Sequence, residues 1–159
     1  MIKEINIINS DIVLNSLRIL IMMAKFETKK STKMNVDTIM LYDFYMKFPQ
    51  TMINSMNIDK HKEEMDFNEY YSYYHWHPDR DEYYLFLKYL LGKELINKRN
   101  TGNEFCYEIN SRGKNVISKL STNYAKKLNQ SADYIRKELS KKSNKQIEEA
   151  ILIYCLNKG

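Results

Sequence analysis

The residues of this chain best suited to chemistry are His75, His77, Asp79 and Asp81, which alternate in the segment HWHPDRD. Alternate side chains of an extended strand share one face, so these four could offer imidazole and carboxylate ligands to a divalent cation. The pattern is a poor match to catalytic zinc, whose ligands come from separated elements or from one helical face. The third histidine, His61, lies in the charged run KHKEEMD. The segment also has an ordinary reading: Pro78 shapes an entry turn, Asp79 or Asp81 caps a following helix, and Arg80 meets a carboxylate. A metal-dependent hydrolase is therefore the weakest of three function classes, and no metal ligands are assigned. Neither a GxxxxGK[ST] phosphate loop nor a GxGxxG turn occurs, and Ser, Cys and His form no nucleophile motif. The expectation is a chain that is not an enzyme and uses no cofactor or small-molecule substrate.

Two other chemistries remain, both of them binding. Lys98 and Arg99 sit in a candidate hairpin, Lys114 lies just beyond it, and Lys126 and Lys127 follow in a basic C-terminal stretch; all five could meet a nucleic-acid backbone. Residues 111–159 carry 11 basic and 4 acidic residues, a net charge of +7, whereas residues 1–110 carry 14 and 16, a net of −2. Such a half suits nucleic acid or an acidic protein surface, and charge alone does not choose between them. The second chemistry is aromatic. The 24 residues NEYYSYYHWHPDRDEYYLFLKYLL hold seven of the 13 tyrosines and the single tryptophan. Tyr71, Tyr74, Trp76, Tyr83, Tyr84, Phe86 and Tyr89 from this stretch are candidate partner-binding residues, since aromatic side chains dominate buried interface area.

These residues must be positioned by a mainly helical body. At 159 residues the chain fits one core, and 4 Gly with 2 Pro leave few of the breaks a sandwich or barrel needs. A short strand over Ile5–Ile8 is followed by a helix capped at Asn9 or Ser10, with Val13, Leu17, Leu20, Ile21 and Ala24 at helical spacing. Asn35 caps a second helix carrying Val36, Met40, Phe44 and Phe48, which Pro49 stops. Residues 50–69 read as a long connection with room for a helical turn. Asp79 or Asp81 opens a third helix to about Leu91, with Gly92 suited to its end. The strands ELINKR and FCYEI flank NTGN, where Asn100 and Gly102 can take left-handed conformations.

A long helix then runs from Asn110 or Ser111 to about Ser140 along Ile117, Leu120, Tyr124, Leu128, Ala132, Ile135 and Leu139, with Gly113 weakening its first turn. A final amphipathic helix carries Ile147, Ala150, Ile151 and Tyr154. The order implies a winged-helix-like unit of three helices and a two-stranded wing over residues 1–140, with a terminal helix at 141–159 packed on that unit or on a partner. The third helix, with Lys88 its only basic residue among apolar ones, is unsuited to reading bases. Cys106 and Cys155 match no disulfide or CxxC pattern, and no secretory signal or membrane-length apolar run is present, so a cytoplasmic chain with reduced cysteines is expected.

The segments HWHPDRDEYYLFLKYLLGKELINKR and FCYEINSRGKNVISKLSTNYAKKLNQSADYI carry a recognisable order of anchors: His77, Pro78, Arg80, Glu82, Tyr107, Gly113, Leu120, Ser121 and Tyr124. Together with RILIMMAKF and VDTIMLYDFYMKFPQ they resemble the middle component of bacterial ABC-three-component systems, itself similar to the small accessory subunit of Lamassu anti-phage defence systems. The likeness spans roughly residues 10–136. An Arg common in the family near Gln130 and Ser131 is absent here. The resemblance implies a non-enzymatic subunit that assembles with an SMC-like ATPase and an effector, often a nuclease, of the same operon and restrains that effector, with DNA reached through the complex. A stand-alone winged-helix transcription regulator is the alternative.

Overall fold

The structure, a computed structural model, describes residues 2–29, 31–56 and 79–158. Among these, seven helices and one two-stranded antiparallel sheet follow in the order α1 (Ile2–Ala24), α2 (Val36–Lys47), α3 (Pro49–Met56), α4 (Arg80–Gly92), β1 (Ile96–Asn100), β2 (Phe105–Ile109), α5 (Ser111–Ser118), α6 (Asn123–Lys137), a 3-10 turn (Leu139–Lys141) and α7 (Asn144–Lys158). The chain is mainly helical, with a small wing and further helices C-terminal to it. The residues HWH, His61, Tyr71, Tyr74 and Trp76 lie outside the described residues.

Helix α2 is the hub. Ten of its 12 residues are buried, so it is apolar almost all round and must be covered on every side. Helices α1, α3, α4, α6 and α7 supply that cover. Asn35 starts α2 as its residue type suggests: its side-chain oxygen accepts from the Thr38 N–H at 2.9 Å. Pro49 does stop α2, but it also opens α3 at the first helical position, where its missing N–H costs nothing. The connection expected over residues 50–69 is thus helical to Met56. The terminal helix α7 docks on α2 and α3. Ile147 and Ile151 are fully buried there, each contributing roughly 2–3 kcal/mol of apolar transfer.

The expected strand at Ile5–Ile8 is instead part of α1. Ile5, Ile8 and Ile12 also fall at helical spacing, and a short apolar run satisfies both periods until its neighbours decide. The expected long helix from Asn110 to Ser140 is two helices. Thr122 caps α6 by accepting from the Ala125 N–H at 3.1 Å, and the Ser118 hydroxyl donates to the Asn115 carbonyl at 2.7 Å, so residues 119–122 form a turn. Tyr124, placed by periodicity on the buried stripe, is exposed.

In the wing, Ile96 pairs with Ile109 and Asn100 with Phe105, so Asn100 belongs to the ladder and only Gly102 of the loop is left-handed, at φ 79°. Gly92 likewise lies within α4. Glu94, at φ 60°, makes the left-handed exit, with the Leu95 N–H closing back on the Leu90 carbonyl at 3.0 Å. Gly113 does more than weaken a turn. A Cβ there would overlap the Leu95 carbonyl oxygen and stand 2.7 Å from Ile109 Cγ1, so only glycine lets α5 close against the base of the wing.

Candidate interaction surfaces

Helix α4 is held rigidly before it offers anything to a partner. Asp79 caps it, accepting from the Asp81 N–H at 3.0 Å. One turn inside, Tyr83 enters the core, 2% exposed, and its hydroxyl donates to Asp43 Oδ2 at 2.6 Å. The same carboxylate of α2 takes two bonds of 2.7 Å from Arg18 of α1, Nε to Oδ1 and Nη2 to Oδ2. Arg18, Asp43 and Tyr83 thus fasten three helices through one buried ion pair. Burial by itself works against the Arg18 charge, but Asp43 more than offsets it and leaves the guanidinium proton held more tightly than usual. Burial, then the Asp43 charge and hydrogen bond, push the Tyr83 phenol far above its ordinary range.

Of the aromatic candidates, Tyr83 and Phe86 therefore belong to the core, Phe86 being 4% exposed. The correction has a simple cause: α4 rests one stripe on α1 and α2, and the sequence, apolar all round, does not say which stripe. Tyr89 is half-buried, with the Lys93 ammonium 5.8 Å from its ring centre. The outward face is Tyr84, 38% exposed, and Leu85, 48% exposed, with Lys88 one turn on.

This face is continued by the wing. Phe105 of β2 is 50% exposed, and the Lys98 ammonium lies 4.0 Å above its ring. Between Phe105 and Tyr84 opens a cleft of about 210 Å³ floored by Tyr107. Its walls are braced: Arg80 bonds Asp37, the Tyr84 hydroxyl and then Asp37 hold the Arg80 proton above its usual range, and Asn35 Nδ2 donates to Glu104 at 2.9 Å. The Tyr107 N–H donates to the Met34 carbonyl at 2.9 Å, so the start of α2 is stitched to the wing. Leu85 and Phe105 carry no signal of exposure in the sequence: Leu85 is one of many apolar residues of its helix, and Phe105 shares a strand face with the buried Tyr107 and Ile109 yet stands open at the tip of the hairpin.

The nucleic-acid candidates separate into two groups. Lys98 is engaged by Phe105, Arg99 pairs with Glu108 at 2.7 Å across the hairpin, and Lys114 pairs with Glu27 of the loop after α1. Lys126 and Lys127 stand exposed on α6, with no ion pair among the described residues. The buried side of α6 is Ala125, Leu128, Ala132 and Ile135, and its open side also carries Asn123, Gln130 and Lys137. Asp79 and Asp81 are exposed, the former a cap, and among the described residues no group of three or more His, Cys, Asp or Glu could hold a metal ion.

A family model for the ABC-three component (ABC-3C) system Middle Component 2 matches residues 7–156, nearly the whole chain. The chain belongs to this family. No curated protein and no solved structure matches it. As a middle component the chain is an accessory part of a system of several components, and its partners are to be sought within that system. No helix among the described residues is long and apolar enough to cross a membrane.

Proposed function

We propose that this chain is a non-enzymatic accessory subunit that docks on the other components of its ABC-3C system through the outward face of α4 and the wing. The observation that carries this reading is the run of large apolar side chains, Tyr84, Leu85 and Phe105, left open on a braced scaffold in a chain whose family is defined by assembly. Scattered exposed apolar residues need no explanation, but aromatic ones gathered around a cleft with a polar rim are the composition of an interface centre.

The partners we assign are an SMC-like ATPase and an effector, a nuclease in the favoured case, of the same operon, acting together against phage as in the Lamassu systems the sequence resembles. The subunit holds the effector inactive and releases it when the ATPase changes state. Such coupling requires that this chain contact the two states differently, and a rigid aromatic face is suited to that discrimination. The ion pair of Arg18 with Asp43 keeps α4 fixed while its outer side changes partners.

The reading is tested by co-expressing the chain with its gene neighbours and purifying through a tag on it. Tyr84→Ala with Leu85→Ala should abolish co-purification, since central aromatic anchors are worth about 2 kcal/mol or more each, while the thermal unfolding of the lone chain stays near wild type. Undiminished capture of the neighbours by the double variant would show that the partners bind elsewhere.

A further inference from the structure

The break between α5 and α6 creates an arrangement that a continuous helix would not have. Helix α5 ends at Ser118, residues 119–122 turn, and α6 starts at Asn123, so two helices are joined by a four-residue turn. The turn is pinned from inside by Leu120, partly buried against the core, and both helices rest on α1. Two helices joined by so short a turn, the second buried along Ala125 and Leu128 and open to solvent on its other side, have the connectivity of the helix-turn-helix by which many proteins enter the major groove.

The open side of α6 has the composition that such a second helix needs. At about 100° per residue, Asn123, Lys126, Lys127, Gln130 and Lys137 fall opposite the buried Ala125, Leu128, Ala132 and Ile135, and all five are exposed. Asn and Gln can bond base edges bidentately and Lys can reach phosphates. The run from Asn110 to Ala132 contains no acidic residue at all. The nearest carboxylates are already engaged: Asp133 with Lys25 at 3.0 Å and Glu138 with Lys141 at 3.8 Å. An exposed lysine alone is ordinary surface. A helix with three lysines, an asparagine and a glutamine on one side, whose one neighbouring carboxylate, Asp133, is taken by Lys25, is matched in charge and hydrogen bonding to a nucleic-acid duplex.

We propose that the open side of α6 binds duplex DNA, with Asn123 and Gln130 turned to base edges and Lys126 and Lys127 to phosphates. An acidic protein surface would meet the lysines equally well but gives the amides of Asn123 and Gln130 nothing particular to read. The assignment moves the DNA-facing surface away from the places a winged helix ordinarily uses. Those are the third helix, whose open first turn here carries Asp81 and Glu82, and the wing, whose Arg99 is taken by Glu108.

The proposal stands apart from docking by α4 and is tested on the purified full chain without partners. A fluorescently labelled random-sequence duplex of about 30 base pairs is titrated at several salt concentrations. Wild type should bind at low salt, and Lys126→Ala with Lys127→Ala should weaken binding about tenfold and reduce the salt slope by about two. Gln130→Glu should weaken it as well by placing a carboxylate on the face. Lys98→Ala with Arg99→Ala should leave affinity within about twofold. The proposal is overturned if wild type shows no salt-dependent binding, if the Lys126 and Lys127 variant keeps the wild-type slope, or if the wing variant causes the loss instead. Should the lysine variant lose its neighbours in co-purification while the wild-type chain ignores DNA, α6 is a protein-docking helix.

Discussion

Helices α4 and α6 are of similar length and both lean on α1, yet they meet solvent in opposite ways. Helix α4 carries Asp81 and Glu82 in its first turn and opens Tyr84 and Leu85 to solvent; α6 opens asparagine, glutamine and lysines beside a lone Tyr124, with no acidic residue before Asp133. Their anchoring differs too. Helix α4 is tied down by a hydrogen bond from Tyr83 to a buried ion pair, whereas α6 is held by small and branched apolar side chains, a threonine cap and partly exposed polar contacts such as Lys25 with Asp133. Surface chemistry in this molecule is thus sorted by element: an apolar face on α4 above a buried polar anchor, and a polar face on α6 above buried apolar packing.

The largest expected effect breaks the anchoring of α4. Asp43→Ala strips the one carboxylate bonded to Arg18 among the described residues and leaves a buried guanidinium uncompensated, which should cost about 3–5 kcal/mol in urea unfolding. Amide exchange should rise in α4 before it rises in α6; equal acceleration in both would mean the ion pair holds the whole body and not one face.

Gly113→Ala comes next. Its Cβ forces α5 off Leu95 and Ile109, and overpacking of this kind costs about 1–3 kcal/mol. The variant should loosen the joint through which the wing and the α5–α6 pair are set relative to each other, so duplex binding should suffer along with stability. A variant with wild-type unfolding would show that α5 can shift at no cost.

The smallest effect is a change of slope with pH. Tyr83 has its phenol raised by burial in the folded state against an ordinary value of 10.0, and Tyr42 is pushed up to about 12 by burial alone. A group whose folded value is raised contributes stability that is complete below the unfolded value and fades as pH climbs toward the folded one. Stability should therefore hold to about pH 9 and decline above about pH 10. Tyr83→Phe should lose about 1 kcal/mol at neutral pH, from the missing hydrogen bond, and show a shallower alkaline decline. An unchanged decline would mean that Tyr83 ionises as freely in the folded chain as in the unfolded one.

Much of this architecture is written locally. Asn35 and Asp79 act as the caps their types suggest, the hairpin closes over Thr101–Glu104 around Gly102, and the basic excess after residue 110 is plain in composition. Caps, turns and charge depend on residues within three or four positions, so a mainly helical chain with a wing and a basic end is legible without any tertiary contact. The tertiary structure alone decided which stripe of α4 turns inward, because EYYLFLKYLL offers apolar side chains to every direction. It paired Arg18 with Asp43 across 25 residues and made Gly113 indispensable through a carbonyl 18 residues earlier. It also divided the C-terminal stretch at Thr122, where a continuous apolar period hid a competing cap, and in doing so gave α6 its open, polar side. These outcomes rest on contacts between elements, and a one-dimensional period carries no record of what lies across the core.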